Sequence, residues 1–297
     1  RKIQAENSDA EIWMLDNLST GSLDNLTGIK GKIIVGNIQS TGTSFFENQK
    51  FDAVLNFACQ ASPEKYQADP IDTIETNTVG VQNLLKIAST QNGALFFQAS
   101  TSEVYGDPDQ HPQTESYRGN VSTTGPRACY DEGKRIAETI CVEYAKRYPL
   151  RLQIGRFFNT YGPGMDLKDG RAVSNFVLQA LNREKITIYG DGMQTRSFCY
   201  VDDTIEAVMK LCDMPTFVGP TNIGNPHEVT VLNMAQTISN ILQYDLEFVF
   251  LDALTDDPIR RKPDITKIKT LTGWTPKTSL ENGLRQTITN FKKRIEA

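Results

Sequence analysis

Tyr130-Asp-Glu-Gly-Lys134 places a phenol and an ammonium four residues apart, inside a helical pattern running from about Pro126 to Tyr148. That spacing stacks both side chains on one helix face. Such a pair is suited to moving a proton. A free tyrosine has a pKa of about 10, and lowering it to ~7 costs roughly 4 kcal/mol. One ammonium ~4 Å away supplies about that much at an effective dielectric near 20. Burial opposes ionisation, so a second positive charge is needed, and an oxidised nicotinamide ring provides it. Taken alone, a Tyr and a Lys four apart also arise by chance.

Two further segments carry chemistry. Leu15-Asp16-Asn17-Leu18-Ser19-Thr20-Gly21 sets an acid at the end of an apolar run. In a dinucleotide-binding sheet that acid accepts hydrogen bonds from the adenosine ribose and repels a 2′-phosphate, which selects NAD over NADP. In isolation Asp16 reads equally well as the start of a turn. Ser100-Thr101-Ser102-Glu103-Val104-Tyr105-Gly106-Asp107 follows an apolar run ending at Ala99. Its hydroxyls and carboxylate then emerge at the C-terminal strand edge, where such sheets bind ligands.

The elements that must position these residues are short apolar runs alternating with helical patterns, the mark of a parallel sheet covered on both faces. Strands are predicted at Glu11–Asp16, Lys32–Val35, Ala53–Ala58, Ala94–Ala99 and Leu152–Phe158. Val81, Leu84, Leu85 and Ala88, and then Ile136, Ile140 and Tyr144, recur at helical spacing as crossover helices. Beyond Tyr161-Gly-Pro-Gly164 the alternation gives way to a helix over 172–181, a strand over 186–189 and a helix after Asp202. The expected fold is therefore α/β, a Rossmann-type doubly wound parallel sheet with a smaller interleaved C-terminal lobe. Residues 1–164 form the dinucleotide-binding domain in this reading, and 165–297 form mainly the substrate lobe. The glycine-rich phosphate loop expected about 20 residues before the acid has no counterpart. The chain opens without Met on a stretch that reads as a helix already under way, so a first strand and its loop are expected to be missing.

Composition narrows the function classes. The chain has 297 residues, and its net charge of −5 excludes a general nucleic-acid binder, which needs a basic excess to neutralise phosphates. No apolar run reaches the ~18 residues of a membrane span. Five scattered cysteines and two histidines, with no paired spacing, point to reduced thiols rather than a metal site or disulfide frame. A cytoplasmic enzyme is the expectation.

Five ordered strings carry a resemblance: Ala99-Ser-Thr-Ser-Glu-Val-Tyr-Gly-Asp107, Gly125-Pro-Arg-Ala-Cys-Tyr-Asp-Glu-Gly-Lys-Arg135, Phe158-Asn-Thr-Tyr-Gly-Pro163, Asp169-Gly-Arg-Ala-Val-Ser-Asn-Phe176 and Arg261-Lys-Pro-Asp264. From about Leu15 to beyond Trp274 the chain resembles the UDP-glucuronate decarboxylase (UDP-xylose synthase) family of extended short-chain dehydrogenases/reductases. The resemblance implies transient NAD-dependent oxidation at sugar C4, loss of carbon dioxide from the resulting β-keto acid, and return of the hydride. It implies a catalytic set of Tyr130, Lys134, Thr101, Ser102, Glu103 and Arg261. Thr101 hydrogen-bonds the 4-oxygen, Ser102 with Glu103 manages proton and water at C5, and Arg261 assists at the substrate carboxyl or ring. NAD contacts are implied for Asp16, Asn17, Ser19, Thr20, Gly21, Asn37, Ile38, Phe57, Cys59 and Thr76, alongside Tyr130 and Lys134. Asn159, Arg171, Tyr189, Arg196 and Arg261 are implied to hold the UDP-sugar, and a homodimer is expected. Some family members sit in the Golgi lumen behind an N-terminal anchor.

Ser102 separates this reading from its nearest rival. Hexose 4,6-dehydratases resemble this chain but carry Asp there, to protonate a departing hydroxyl. Glu75, Asn37 and Gly164 depart from the decarboxylase pattern, where Lys, Asp and Arg are usual; a Glu75 that faces the sugar makes a glucuronate less welcome and admits a neutral hexose or an altered acid. A 4,6-dehydratase or 4-epimerase, and a non-catalytic nucleotide-binding scaffold, are the alternatives.

Overall fold

The computed structural model describes residues 1–40, 46, 49–252 and 260–296. The chain forms two compact units. The first comprises residues 1–100, 124–154 and 214–219, and the second 101–123, 155–213 and 220–297.

In the first unit the order is α1 (Lys2–Glu6), β1 (Trp13–Asp16), β2 (Lys32–Val35), β3 (Ala53–Asn56), α2 (Pro63–Ala68), α3 (Pro70–Glu75), a π turn (Thr76–Gly80), α4 (Val81–Ser89), β4 (Leu95–Thr101), α5 (Ala128–Arg147) and the start of β5 (Arg151–Phe157). Strands β1 and β2 pair in parallel, Trp13 opposite Lys32. Strand β3 pairs in parallel with β4, Ala53 opposite Leu95, and β4 lies beside β5. This is the doubly wound α/β arrangement, with its ladders divided between two sheets. All seven residues of β4 are buried, as a parallel strand covered on both faces requires. Val81, Leu85 and Ala88 of α4 repeat at helical spacing and pack with Phe96, Ala137, Cys141, Leu152 and Ile154. Each large apolar side chain so buried contributes about 1.5–3 kcal/mol. Gly133 lets α5 approach the π turn, because a Cβ there would stand 3.2 Å from Asn77 Nδ2.

In the second unit, the end of β5 pairs in parallel with β10 (Thr221–Ile223), Gly155 opposite Thr221. Strand β6 (Thr160–Tyr161) pairs with β9 (Cys199–Tyr200). A three-stranded sheet runs β11 (Glu228–Thr230), β8 (Thr195–Ser197), β13 (Arg260–Arg261), and β7 (Ile186–Tyr189) pairs with β12 (Phe248–Leu251). Helices α6 (Ala172–Leu181), α8 (Val231–Leu242) and α10 (Leu280–Ile295) bury Phe176, Val177, Met234, Ile238, Leu284, Ile288 and Phe291 in one core with Ile186 and Ile188. Thr230 caps α8 by accepting the Asn233 N–H at 3.0 Å, and Ser279 caps α10 in the same way. Helices α7 (Val201–Cys212) and α9 (Thr266–Thr272) complete the unit.

The expected strands are found with shifted ends. Strand β1 starts at Trp13 rather than Glu11, β3 stops at Asn56, and β4 runs on to Thr101. Ser100 and Thr101 are thus strand residues, not the turn that follows. Strand β10, short and partly polar, was not foreseen. Among the described residues, no helix is long and apolar enough to cross a membrane.

Candidate active site

Within the first unit, β1, β3 and the segments that follow them line an open cavity of about 420 Å³. Asp16, Asn17, Ser19 and Thr20 line it from the β1 exit, and Asn37 and Ile38 from the β2 exit. Phe57 and Cys59, just past β3, and Thr76, at the π turn, line it too. Gly21 is not among the lining residues, but a Cβ on it would come 3.3 Å from Asp16 Oδ2. Asp16 Oδ1 accepts the Leu18 N–H at 2.7 Å, and Asn17 Nδ2 donates to Asn37 Oδ1 at 2.6 Å. Cys59 Sγ accepts from Asn77 Nδ2 at 3.1 Å.

This lining fits the adenosine side of NAD. Asp16 offers a carboxylate to ribose hydroxyls, and among the described lining residues no Lys or Arg stands by to neutralise an added 2′-phosphate. Trp13, Phe46 and Phe51 were not foreseen here. Their rings form an aromatic cluster, with Trp13 edge-on to Phe51 at 5.8 Å, and all three line the cavity. The excess of aromatics around β1 and residues 46–51 was the available signal.

Tyr130 and Lys134 share one face of α5, at 5% and 4% exposure. Tyr66 stacks on Tyr130 with centroids 4.8 Å apart and planes 8° from parallel. The Lys134 ammonium lies 5.9 Å from the Tyr130 ring centroid and donates to the Ala99 carbonyl at 3.0 Å. That bond aims the ammonium at the end of β4. Burial pushes the neighbouring Cys129 thiol up.

In the second unit, Thr101 ends β4, and its Oγ1 accepts the Glu103 N–H at 3.2 Å, capping the short 3-10 turn Ser102–Tyr105. Ser102 is buried. Glu103 forms a two-pronged ion pair with Arg261: Nη1 bonds Oε1, and Nη2 bonds Oε2 at 2.9 Å. Planar guanidinium matches carboxylate in this geometry. Arg261 stands opposite Arg196 in the β13–β8 register, and both are buried. Arg171, at the N-cap of α6, is engaged by Asp169 through Nε and Nη2. Tyr189 ends β7 and is half-exposed, and the Asn159 carbonyl accepts the Cys199 N–H at 2.8 Å. Arg261 and Arg196 are therefore brought side by side, while Arg171, Tyr189 and Asn159 lie on separate elements. Glu75 is exposed on the last turn of α3.

Two supporting clusters escaped the sequence reading. Tyr105 donates its hydroxyl proton to Asn222 at 2.7 Å and accepts from Arg156 at 3.0 Å. Glu228 accepts from Thr195 at 2.8 Å, contacts His111 at 3.1 Å and pairs with Lys262 at 3.6 Å. Burial pushes the Glu228 carboxyl up, but Thr195, His111 and Lys262 together outweigh it and hold the group below the usual range. No local motif marks these partners, which lie far apart in sequence.

Comparison with known proteins adds an independent line. Residues 3–225 match the family model described as "NAD dependent epimerase/dehydratase family". UDP-glucuronic acid decarboxylase 6 of Arabidopsis thaliana is 45% identical over 98% of this chain and 84% of its own length. UDP-glucuronic acid decarboxylase 1 of Xenopus tropicalis is 48% identical over 96% of this chain and 67% of its own. UDP-glucuronic acid decarboxylase 2 of Arabidopsis thaliana is 50% identical over 82% of this chain, which spans about half (54%) of that longer protein. Among solved structures, the UDP-glucose 4-epimerase of Thermotoga maritima with UDP-glucose superposes with a TM-score of 0.91 at 27% identity, covering 99% of this chain and 94% of that one. The Bacillus cereus UDP-glucuronic acid 4-epimerase with UDP-glucuronic acid and NAD gives 0.88 at 23% identity, covering 99% and 94%, and shows the shared fold.

Proposed function

Because the chain belongs to the NAD dependent epimerase/dehydratase family, and within it to the UDP-glucuronic acid decarboxylases, we propose that it converts UDP-glucuronate to UDP-xylose and carbon dioxide, with NAD as cofactor. When bound, NAD supplies a reversible hydride acceptor for C4 of the sugar. Tyr130 takes the proton of the 4-hydroxyl, favoured by the nearby Lys134 charge, and Thr101 holds the 4-oxygen. The 4-ketone makes the C5 carboxylate a β-keto acid. Its C–C bond breaks, carbon dioxide leaves, and the electron pair moves onto the ketone oxygen. Ser102 and Glu103 then hold a water through which a solvent proton reaches C5, and Tyr130 returns its proton to the 4-oxygen as the hydroxyl is restored.

The observation that carries this reading over dehydration is the state of Ser102 and Glu103. Ser102 is a poor acid for expelling a hydroxyl, and both oxygens of the adjacent carboxylate are taken by Arg261. Incubation with UDP-glucuronate and NAD tests it. Released carbon dioxide supports decarboxylation, while a product that has lost water or kept its mass supports a dehydratase or epimerase.

Several finer assignments belong to the same proposal. Asp16, Asn17, Ser19, Thr20, Gly21, Asn37, Ile38, Phe57, Cys59 and Thr76 hold NAD. Asn159, Arg171, Tyr189, Arg196 and Arg261 hold the UDP-sugar. Residues 1–164 serve the dinucleotide, and mainly 165–297 serve the nucleotide sugar. Two chains pair through α5 and the helical run near Val81, a reading supported by the exposure of Ile71 and Ile74 on α3 and of Val79, both ahead of Val81, and of Ile136 on α5. An apolar strip of this kind marks an interaction surface. Sedimentation of an Ile136→Glu variant as a monomer, against a dimeric parent, checks it. The five scattered cysteines favour a cytoplasmic site over the Golgi lumen, and cell fractionation decides between them.

A further inference from the structure

Helix α5 carries a third polar side chain on the face of Tyr130 and Lys134. Glu138 stands one turn beyond Lys134, and i, i+4 neighbours share a face. It is only 8% exposed. Its Oε1 accepts the hydroxyl proton of Ser100 at 2.5 Å, while Lys134 donates to the Ala99 carbonyl at 3.0 Å. Two consecutive residues of β4 thus grip two residues one turn apart on α5. The chain then runs directly from Ser100 into Thr101, Ser102 and Glu103.

Packing alone does not call for a carboxylate here. Phe96, Ala137 and Cys141 already join β4 to α5 through apolar contact, and a buried charge is costly where an apolar side chain of similar volume is not. We propose that Glu138 is a positioning residue for the reaction. Acting through Ser100, it fixes the last buried residues of β4 against α5, and with them the Ala99 carbonyl that aims the Lys134 ammonium. It makes no contact with substrate. This inference rests on Tyr130 and Lys134 being the proton-moving pair.

The test compares kcat and KM for UDP-glucuronate in Glu138→Leu, Glu138→Gln, Ser100→Ala and Tyr130→Phe, each with NAD affinity measured. Glu138→Leu is expected to lower kcat by about 10–100-fold, the scale of a small misplacement, with KM and NAD affinity little changed. Glu138→Gln keeps an acceptor for Ser100 and is expected to recover most of kcat. Ser100→Ala, a small change that leaves the fold intact, is expected to lower kcat in the same selective way. If Glu138→Leu fails to fold, Ser100→Ala decides alone. Full kcat in folded Ser100→Ala or Glu138→Leu, or a loss seen in KM instead, overturns the proposal. An active Tyr130→Phe overturns the reading beneath it. An inactive Tyr130→Phe beside a fully active Glu138→Leu overturns the role of Glu138 alone.

Discussion

Arg261 holds both carboxylate oxygens of Glu103 across 158 positions of sequence. The side chains are 8% and 13% exposed, so neither charge is left to water. Removing one partner of a buried pair strands the other, at a cost of about 3–5 kcal/mol. Arg261→Met is therefore expected to lower thermal stability and abolish turnover. The double variant Arg261→Met/Glu103→Leu is expected to regain stability without regaining activity. Calorimetry beside a turnover assay checks both, and a double variant as unstable as Arg261→Met counts against a buried pair.

Asp16 lines the first-unit cavity proposed to hold NAD, with no basic residue among the described lining to offset it. Replacing it by Ser removes the charge that repels a 2′-phosphate. The ratio of NADP to NAD affinity is expected to rise by about 10-fold, a change of ~1.4 kcal/mol. Titration with both dinucleotides measures it, and an unchanged ratio contradicts the role of Asp16.

The shared face of Tyr130 and Lys134 was legible in the sequence because helical geometry joins residues four apart, but only the motifs around them singled the pair out. Bounds of α6 and β7 were legible too, since Val173, Phe176, Val177 and Ala180 repeat at helical spacing and Ile186 to Tyr189 form one run of β-branched and aromatic residues. What escaped depends on contacts remote in sequence. Ser100 and Glu138 are 38 positions apart, and polar Ser100 and Thr101 gave no hint that β4 continues through them. Helix α10 buries Leu284, Ile288 and Phe291 at helical spacing, but the polar residues between them, Arg285 to Thr287 and Thr289 to Asn290, masked the pattern.

Thiol reactivity separates the cysteines. Cys59 lines the cavity proposed to hold NAD and is partly exposed. Cys199 is buried, and burial pushes its thiol up to about 12; burial raises Cys141 as well. The thiolate is the reactive form. Alkylation at neutral pH is expected to modify Cys59 well before Cys141 or Cys199, and NAD is expected to protect it. Peptide mass mapping reads the order. Equal labelling of Cys59 with and without NAD removes it from the cofactor site.

Glu228 makes stability depend on pH. Its carboxyl is held below its unfolded value of about 4.3, so its contribution is present above that value and lost as pH falls through the folded one. Glu228→Gln is therefore expected to melt below the parent at pH 7, with the gap closing below about pH 4. A gap independent of pH contradicts the assignment.

Product mass is the most direct measurement of the central claim. With UDP-glucuronate and NAD, the account predicts a UDP-pentose lighter than the substrate by one carbon dioxide, formed by the parent and absent with Tyr130→Phe. A product lighter by water, a product of unchanged mass, or undiminished turnover by Tyr130→Phe would contradict it.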